Sequence, residues 1–201
     1  MKKEPKVLIV HGFEGTPNGG WRPWLMGQLA LEDVYACALP MPSPATPMKE
    51  EWIEEVRRAS FSRMTLGASA PDESIFLVGH SLGVPAILQY LQALPEGVTI
   101  GGAVLVSGPF QHLQEEEYKA TANFFEPAFD FEKIKKACKK FTVIHGDNDP
   151  VVPFTDAGKF GKVLSCEVIS IPNGGHLNGS SGWRELPAAF TVLTNWSKAI
   201  S

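Results

Sequence analysis

The chain has 201 residues, 44% of them hydrophobic and 20% charged, which describes one folded domain and excludes a disordered or fibrous chain. A chain of this length buries enough surface to fold without a disulfide or a metal. Its formal charge is −4, from 18 basic and 22 acidic side chains, so it lacks the excess of Lys and Arg that sequence-independent nucleic-acid binding needs.

No apolar run approaches the ~18 residues of a membrane-spanning helix. The first run, Val7–Val10, is too short for a signal-peptide core, and the chain is expected in the cytoplasm. After it come His11-Gly12-Phe13 and a predicted helix over Pro23–Leu31. Val34–Leu39 is the next apolar run, and the proline-rich stretch Pro40–Pro47 behind it reads as a stiff loop. A helix is predicted over Met48–Met64, where Trp52, Ile53, Val56, Ala59 and Met64 form an apolar stripe opposite Glu50, Glu54 and Arg57. Ile75–Val78 leads into a helix over Leu82–Leu94, and Gly102–Val106 follows. The connection from Ser107 to Lys140 is the longest and is rich in aromatic residues. It ends in a predicted helix over Phe131–Lys140. Phe141–Ile144, a helix over Pro153–Val163, Cys166–Ile171 and a helix over Trp183–Ala199 complete the chain.

Continuous apolar runs of four to six residues indicate strands covered on both faces, as in a parallel sheet. Their alternation with helices predicts βαβ crossovers. The expected fold is therefore α/β, a three-layer αβα sandwich with about six mostly parallel strands in a single domain over residues 1–201. Ligands in such sheets bind outside the carboxyl ends of the strands, so the residues just after each run are where chemistry is expected. Cys37, Cys138 and Cys166 are widely spaced among apolar neighbours and are expected to be buried, reduced thiols.

Gly79-His80-Ser81-Leu82-Gly83 follows the third run and opens an Ala/Leu-rich helix. This GxSxG setting is that of a nucleophile elbow, in which a strained strand-to-helix turn lifts Ser81 above the sheet. A serine hydroxyl needs a general base, commonly a histidine held by a carboxylate. Of the five histidines only His176, in IPNGGHLNGS, lies beyond the last candidate acid loop. That loop, GDNDPVVP, offers Asp149 as the favoured acid and Asp147 as the alternative, the other serving as a turn-former that bonds its own backbone. The N–H of Leu82 and one from the loop after the first strand, at Phe13, are the expected oxyanion donors.

Taken together, HGFEGTPNGGWRPWL, GHSLG, FEKIKKACKKFTVIHGDNDPVVP and NGGHLN resemble the α/β-hydrolase superfamily. They resemble in particular the small single-domain serine hydrolases that include retinoblastoma-binding protein 9 and its bacterial relatives. The resemblance implies a reduced α/β-hydrolase fold and a triad of Ser81, Asp149 and His176. It also implies a small lid-like insertion around residues 108–130. Phe124 and Phe125 in that insertion are candidates for lining an acyl or aromatic substrate pocket, against the plainer role of packing it onto the sheet. The retinoblastoma-binding LxCxE motif is not reproduced, because Leu164-Ser165-Cys166-Glu167 brings Glu one place too early, and no protein partner is implied.

No phosphate-loop, dinucleotide or metal-ligand pattern occurs, so no cofactor or metal is expected. The expected activity is metal-independent cleavage of a small-molecule ester, thioester or amide through an acyl-enzyme on Ser81. A non-catalytic binding module on a hydrolase scaffold and an acyltransferase are the rival readings. No nucleic acid or membrane is expected to take part.

Overall fold

The apolar runs pair edge to edge into one sheet in the computed structural model, which describes residues 4–61 and 70–200. The strands are β1 (Lys6–Val10), β2 (Tyr35–Ala38), β3 (Ile75–His80), β4 (Gly102–Val106), β5 (Phe141–Gly146) and β6 (Glu167–Ile171). They lie in the order β2-β1-β3-β4-β5-β6, and every neighbouring pair is parallel. Side chains of a strand alternate between faces, and this sheet separates two cores accordingly. Leu8, Val10, Leu77 and Leu105 face one core, and Val7, Ile9, Val78 and Val104 face the other.

Helices α2 (Lys49–Ser60), α3 (Gly83–Ala93), α4 (Phe131–Ala137) and α5 (Phe154–Leu164) cover the first face through residues such as Trp52, Ile87, Ile134 and Phe160. Helices α1 (Arg22–Leu31) and α6 (Pro187–Lys198) cover the second through Leu25, Leu29, Ala189 and Leu193. The result is the expected three-layer αβα arrangement on six parallel strands.

Several details differ from the sequence expectation, each for a local reason. The central strands β3, β4 and β5 are buried throughout, whereas the edge strands β2 and β6 are only partly covered. Cys37 lies in β2 and Cys166 precedes β6, so both are half-buried at the sheet edges, and only Cys138 is fully buried. Helix α4 stops at Ala137 rather than Lys140. Ile100 donates to the Ala137 carbonyl at 2.9 Å and accepts from Lys139 N at 3.1 Å, so this backbone is drawn into a bridge beside the sheet. Helix α6 starts at Pro187, where a missing N–H is tolerated. Trp183, expected inside that helix, lies in the preceding loop with its indole N–H on the Gly174 carbonyl at 2.6 Å. The second helix was expected to reach Met64, which lies outside the described residues. A 3-10 segment, Glu116–Phe125, was not expected. Asn123 ties it to the start of α2, accepting from Lys49 N at 2.7 Å and donating to the Pro47 carbonyl at 3.1 Å.

The topology fixes where ligands gather. From β1 the chain moves one way to β2, then returns to place β3 on the other side. The carboxyl ends of β1 and β3 therefore flank the switch point where open α/β sheets hold ligands. Val10 is in register with Gly79, which brings His11-Gly12-Phe13 alongside Ser81.

Candidate active site

Ser81 sits at φ +53°, a left-handed conformation that a side-chain-bearing residue adopts only when its surroundings enforce it. The enforcement comes from both flanks. A Cβ at Gly79 would lie 2.6 Å from the Gly83 carbonyl oxygen. One at Gly83 would lie 2.9 Å from the His11 carbonyl oxygen and closer still to that of Val10. Only with both side chains absent can α3 start directly against the ends of β3 and β1. Gly12 plays a related part, since a Cβ there would come within 2.9 Å of the Ser81 Cβ and crowd the hydroxyl.

Three loops bring the expected polar groups to this point. His176 Nε2 is 3.0 Å from Ser81 Oγ, and His176 Nδ1 is 2.8 Å from Asp149 Oδ2 and 3.1 Å from Oδ1. A proton on Nδ1 donated to the carboxylate leaves the Nε2 lone pair to accept from the serine hydroxyl. The Asp149 side chain is fully buried, yet Oδ1 accepts from Val151 N at 2.9 Å and Val152 N at 3.0 Å. Burial opposes its ionisation, but hydrogen bonds from His145 and His176 outweigh that and hold the carboxyl well below the usual carboxylate range. His176 itself is only 6% exposed.

Asp147 does not reach His176. Its Oδ1 accepts from Asn173 N at 2.8 Å, so it is a brace between two loops rather than a local turn-former. Asn148 acts in parallel, accepting from Gly175 N at 2.7 Å. Ring N–H donors grip the same loop: Trp21 on the Leu177 carbonyl at 2.8 Å, His80 on the His176 carbonyl at 2.9 Å and Trp183 on Gly174. A histidine held this way keeps its ring in place before any substrate arrives.

His80 and His145 escaped the sequence reading as site residues. His80 is 4% exposed, and burial, followed by the neighbouring His176, pulls its pKa down to about 3. His145, next to last in β5, has no exposed surface, its Nε2 lying 3.0 Å from the Val152 carbonyl and 3.3 Å from Asp149 Oδ2. Both acceptors place the proton on Nε2, which approaches the same Asp149 oxygen, Oδ2, that His176 Nδ1 bonds.

The backbone N–H groups of Phe13 and Leu82 donate to no acceptor among the described residues, although neighbouring Glu14 N, Gly15 N and Ser81 N are all engaged. A cavity of about 380 Å³ opens over Ser81 and His176, walled by Gly12 to Thr16 and by the loop following His176. Phe124 and Phe125 do not line it. Phe124 is fully buried with its ring 5.3 Å from Trp52, and its carbonyl accepts from Gln89 at 2.9 Å. Phe125 packs against His112 and Phe129. The ring of the 3-10 segment that approaches the site is Tyr118, 6.3 Å from Phe13. Among the described residues, no group of three or more His, Cys, Asp or Glu is placed to hold a metal ion, and no helix is long and apolar enough to cross a membrane.

Comparison with known proteins gives the chain's family and fold. The serine hydrolase family profile matches residues 7–195. A putative hydrolase of Bacillus subtilis, YdeN, is 32% identical over 95% of both chains. The rat serine hydrolase RBBP9 is 26% identical over 96% of this chain and 98% of its own. The crystal structure of the B. subtilis ydeN product superposes with a TM-score of 0.84 at 30% identity, covering 96% of this chain and 98% of that one. Est1E of Butyrivibrio proteoclasticus, solved with ferulic acid bound, shares the fold at a TM-score of 0.73 and 15% identity, over 98% and 90% of the chains. This chain belongs to the serine hydrolase family, and it is an enzyme of the α/β-hydrolase superfamily.

Proposed function

We propose that the enzyme cleaves the carboxylic ester, thioester or amide bond of a small substrate through an acyl-enzyme on Ser81. His176 takes the hydroxyl proton as Oγ attacks the carbonyl carbon, then delivers it to the leaving alcohol, thiol or amine. In the second half a water gives its proton to His176 and attacks the acyl carbon, and Ser81 recovers the proton as the carboxylic acid leaves. Asp149 keeps Nδ1 protonated and stabilises the imidazolium that forms in each half. The N–H groups of Phe13 and Leu82 receive the charge that develops on the carbonyl oxygen.

The observation that carries this reading is the single imidazole of His176 bonded at one nitrogen to Ser81 and at the other to Asp149. The free N–H groups at positions 13 and 82 and the cavity in front of Ser81 support it. A panel of 4-nitrophenyl esters of graded chain length with aminoacyl amides, run on wild type and variants, tests it. Ser81→Ala and His176→Ala are expected to lower turnover by roughly 10⁶, and Asp149→Asn by roughly 10⁴. Turnover of the preferred substrate that survives Ser81→Ala would overturn the proposal.

A further inference from the structure

The cavity over Ser81 contains a cation that the reaction does not use. Arg22 lines it together with Gly12, Ser81 and His176, and is only 6% exposed. Its Nε donates to the Thr16 carbonyl at 3.0 Å, and its guanidinium lies 5.8 Å from the Trp21 ring centroid. Among the described residues no carboxylate pairs with it, and neither terminal nitrogen has a hydrogen-bond acceptor. Burial draws its pKa down to about 10, which still leaves it charged at neutral pH. Buried charges are ordinarily paired, because leaving one without a partner is strongly destabilising.

The position of Arg22 adds to the imbalance. It opens α1, a helix of 10 residues with no acidic side chain in its first turn. A helix N-terminus favours an anion, and a cation there opposes the helix dipole. Arg184 also lines the cavity, from its exposed rim, and has no ion-pair partner among the described residues. Among the described residues the one carboxylate lining the cavity, Glu14, is exposed and forms no ion pair with either arginine. Helix dipole, buried guanidinium and rim guanidinium thus converge on a space shared with the nucleophile.

We propose that the substrate cleaved at Ser81 carries an anionic group, a carboxylate or a phosphate, which Arg22 binds inside the cavity with Arg184 at its mouth. Arg22 is then a specificity-determining residue, bonding the anion through its two free terminal nitrogens in the fork geometry that suits carboxylate and phosphate. This inference rests on Ser81 being the nucleophile.

The test compares kcat/KM within matched pairs. These are mono-4-nitrophenyl adipate against 4-nitrophenyl hexanoate, and 4-acetoxybenzoate and 4-acetoxyphenyl phosphate each against methyl 4-acetoxybenzoate. At least one anionic ester is expected to exceed its neutral partner by about tenfold or more, as charge-assisted hydrogen bonds allow. The carboxylate and phosphate members separate the two anions. Arg22→Gln should bring that ratio towards one, and Arg22→Lys should restore part of it. A structural role for Arg22 would lower both members of a pair together and leave the ratio unchanged. Should Arg22→Gln fail to fold, competition on wild type decides: benzoate or phenyl phosphate should inhibit neutral-ester turnover where benzyl alcohol does not. No anionic preference in any pair, a ratio insensitive to Arg22→Gln, or no competition by either anion overturns the inference. Neutral-ester turnover that depends on Ser81 while showing no anionic preference would sink this inference and leave the nucleophile standing. Turnover independent of Ser81 would remove the reading beneath it.

Discussion

Four donors converge on the carboxylate of Asp149: His176 Nδ1, His145 Nε2 and the N–H groups of Val151 and Val152. A buried carboxylate with this many partners stays ionised, and each donor removed leaves part of a charge uncompensated. His145→Leu takes away one donor and is expected to lower stability by about 2 kcal/mol, as loss of a hydrogen bond to a charged group does. Urea denaturation of the variant measures this, and a midpoint equal to wild type would contradict the support assigned to His145. The sequence made some of these residues legible and hid others. Ser81 stands between two glycines that only a sharp turn requires, and His176 was singled out by chain order. The turn favours Asp149 over Asp147, and the fold agrees, with Asp147 reaching Asn173 instead of the imidazole, a contact between loops that the sequence does not encode. His80 grips the His176 carbonyl across 96 residues, a contact that no local pattern encodes.

Among the elements, α3 is held most closely. Its first residue, Gly83, abuts the carbonyls that end β1, so Gly83→Ala is expected to push the helix outward. Forced overpacking of this kind costs roughly 1–3 kcal/mol and here also disturbs the elbow, so ester turnover should fall with stability. Gly158 in α5 gives the contrast. A Cβ there meets no atom of the described residues within 4 Å, and Gly158→Ala should raise stability by about 0.5–1 kcal/mol through helix propensity alone. Thermal melts of the two variants should therefore move in opposite directions. The central strands were readable because burial on both faces makes them continuously apolar. The ends of α4 and α6 were misplaced because a bridge to Ile100 and the loop anchored by Trp183 set them. The 3-10 segment was missed for the same kind of reason: Asn123 fixes it through partners in a distant loop. Phe124 illustrates the limit of composition, since its aromatic ring suits a pocket and the fold uses it as core against Trp52.

For the whole molecule, buried His80 and His11 shape the response to acid. Burial pulls the pKa of His80 from 6.5 down to about 3, while the unfolded chain protonates near the ordinary value. Between those limits the unfolded state binds more protons, so stability rises with pH and is lost as pH falls below about 6.5. His11, its protonation also disfavoured by burial, adds in the same direction. Asp149 is held below the usual carboxylate range, so its contribution is present above about pH 4 and declines only below it. The melting temperature should accordingly fall steadily from pH 7 to pH 4, and more shallowly in His80→Gln, which retains a donor for the His176 carbonyl. A melting temperature that held constant or rose towards pH 4 would contradict this. The most direct measurement of the central claim is covalent labelling with a fluorophosphonate, followed by peptide mapping of the modified residue. A single adduct on Ser81, formed by wild type and abolished in folded His176→Ala, is the expected result; an unlabelled folded protein, or an adduct elsewhere, would contradict it.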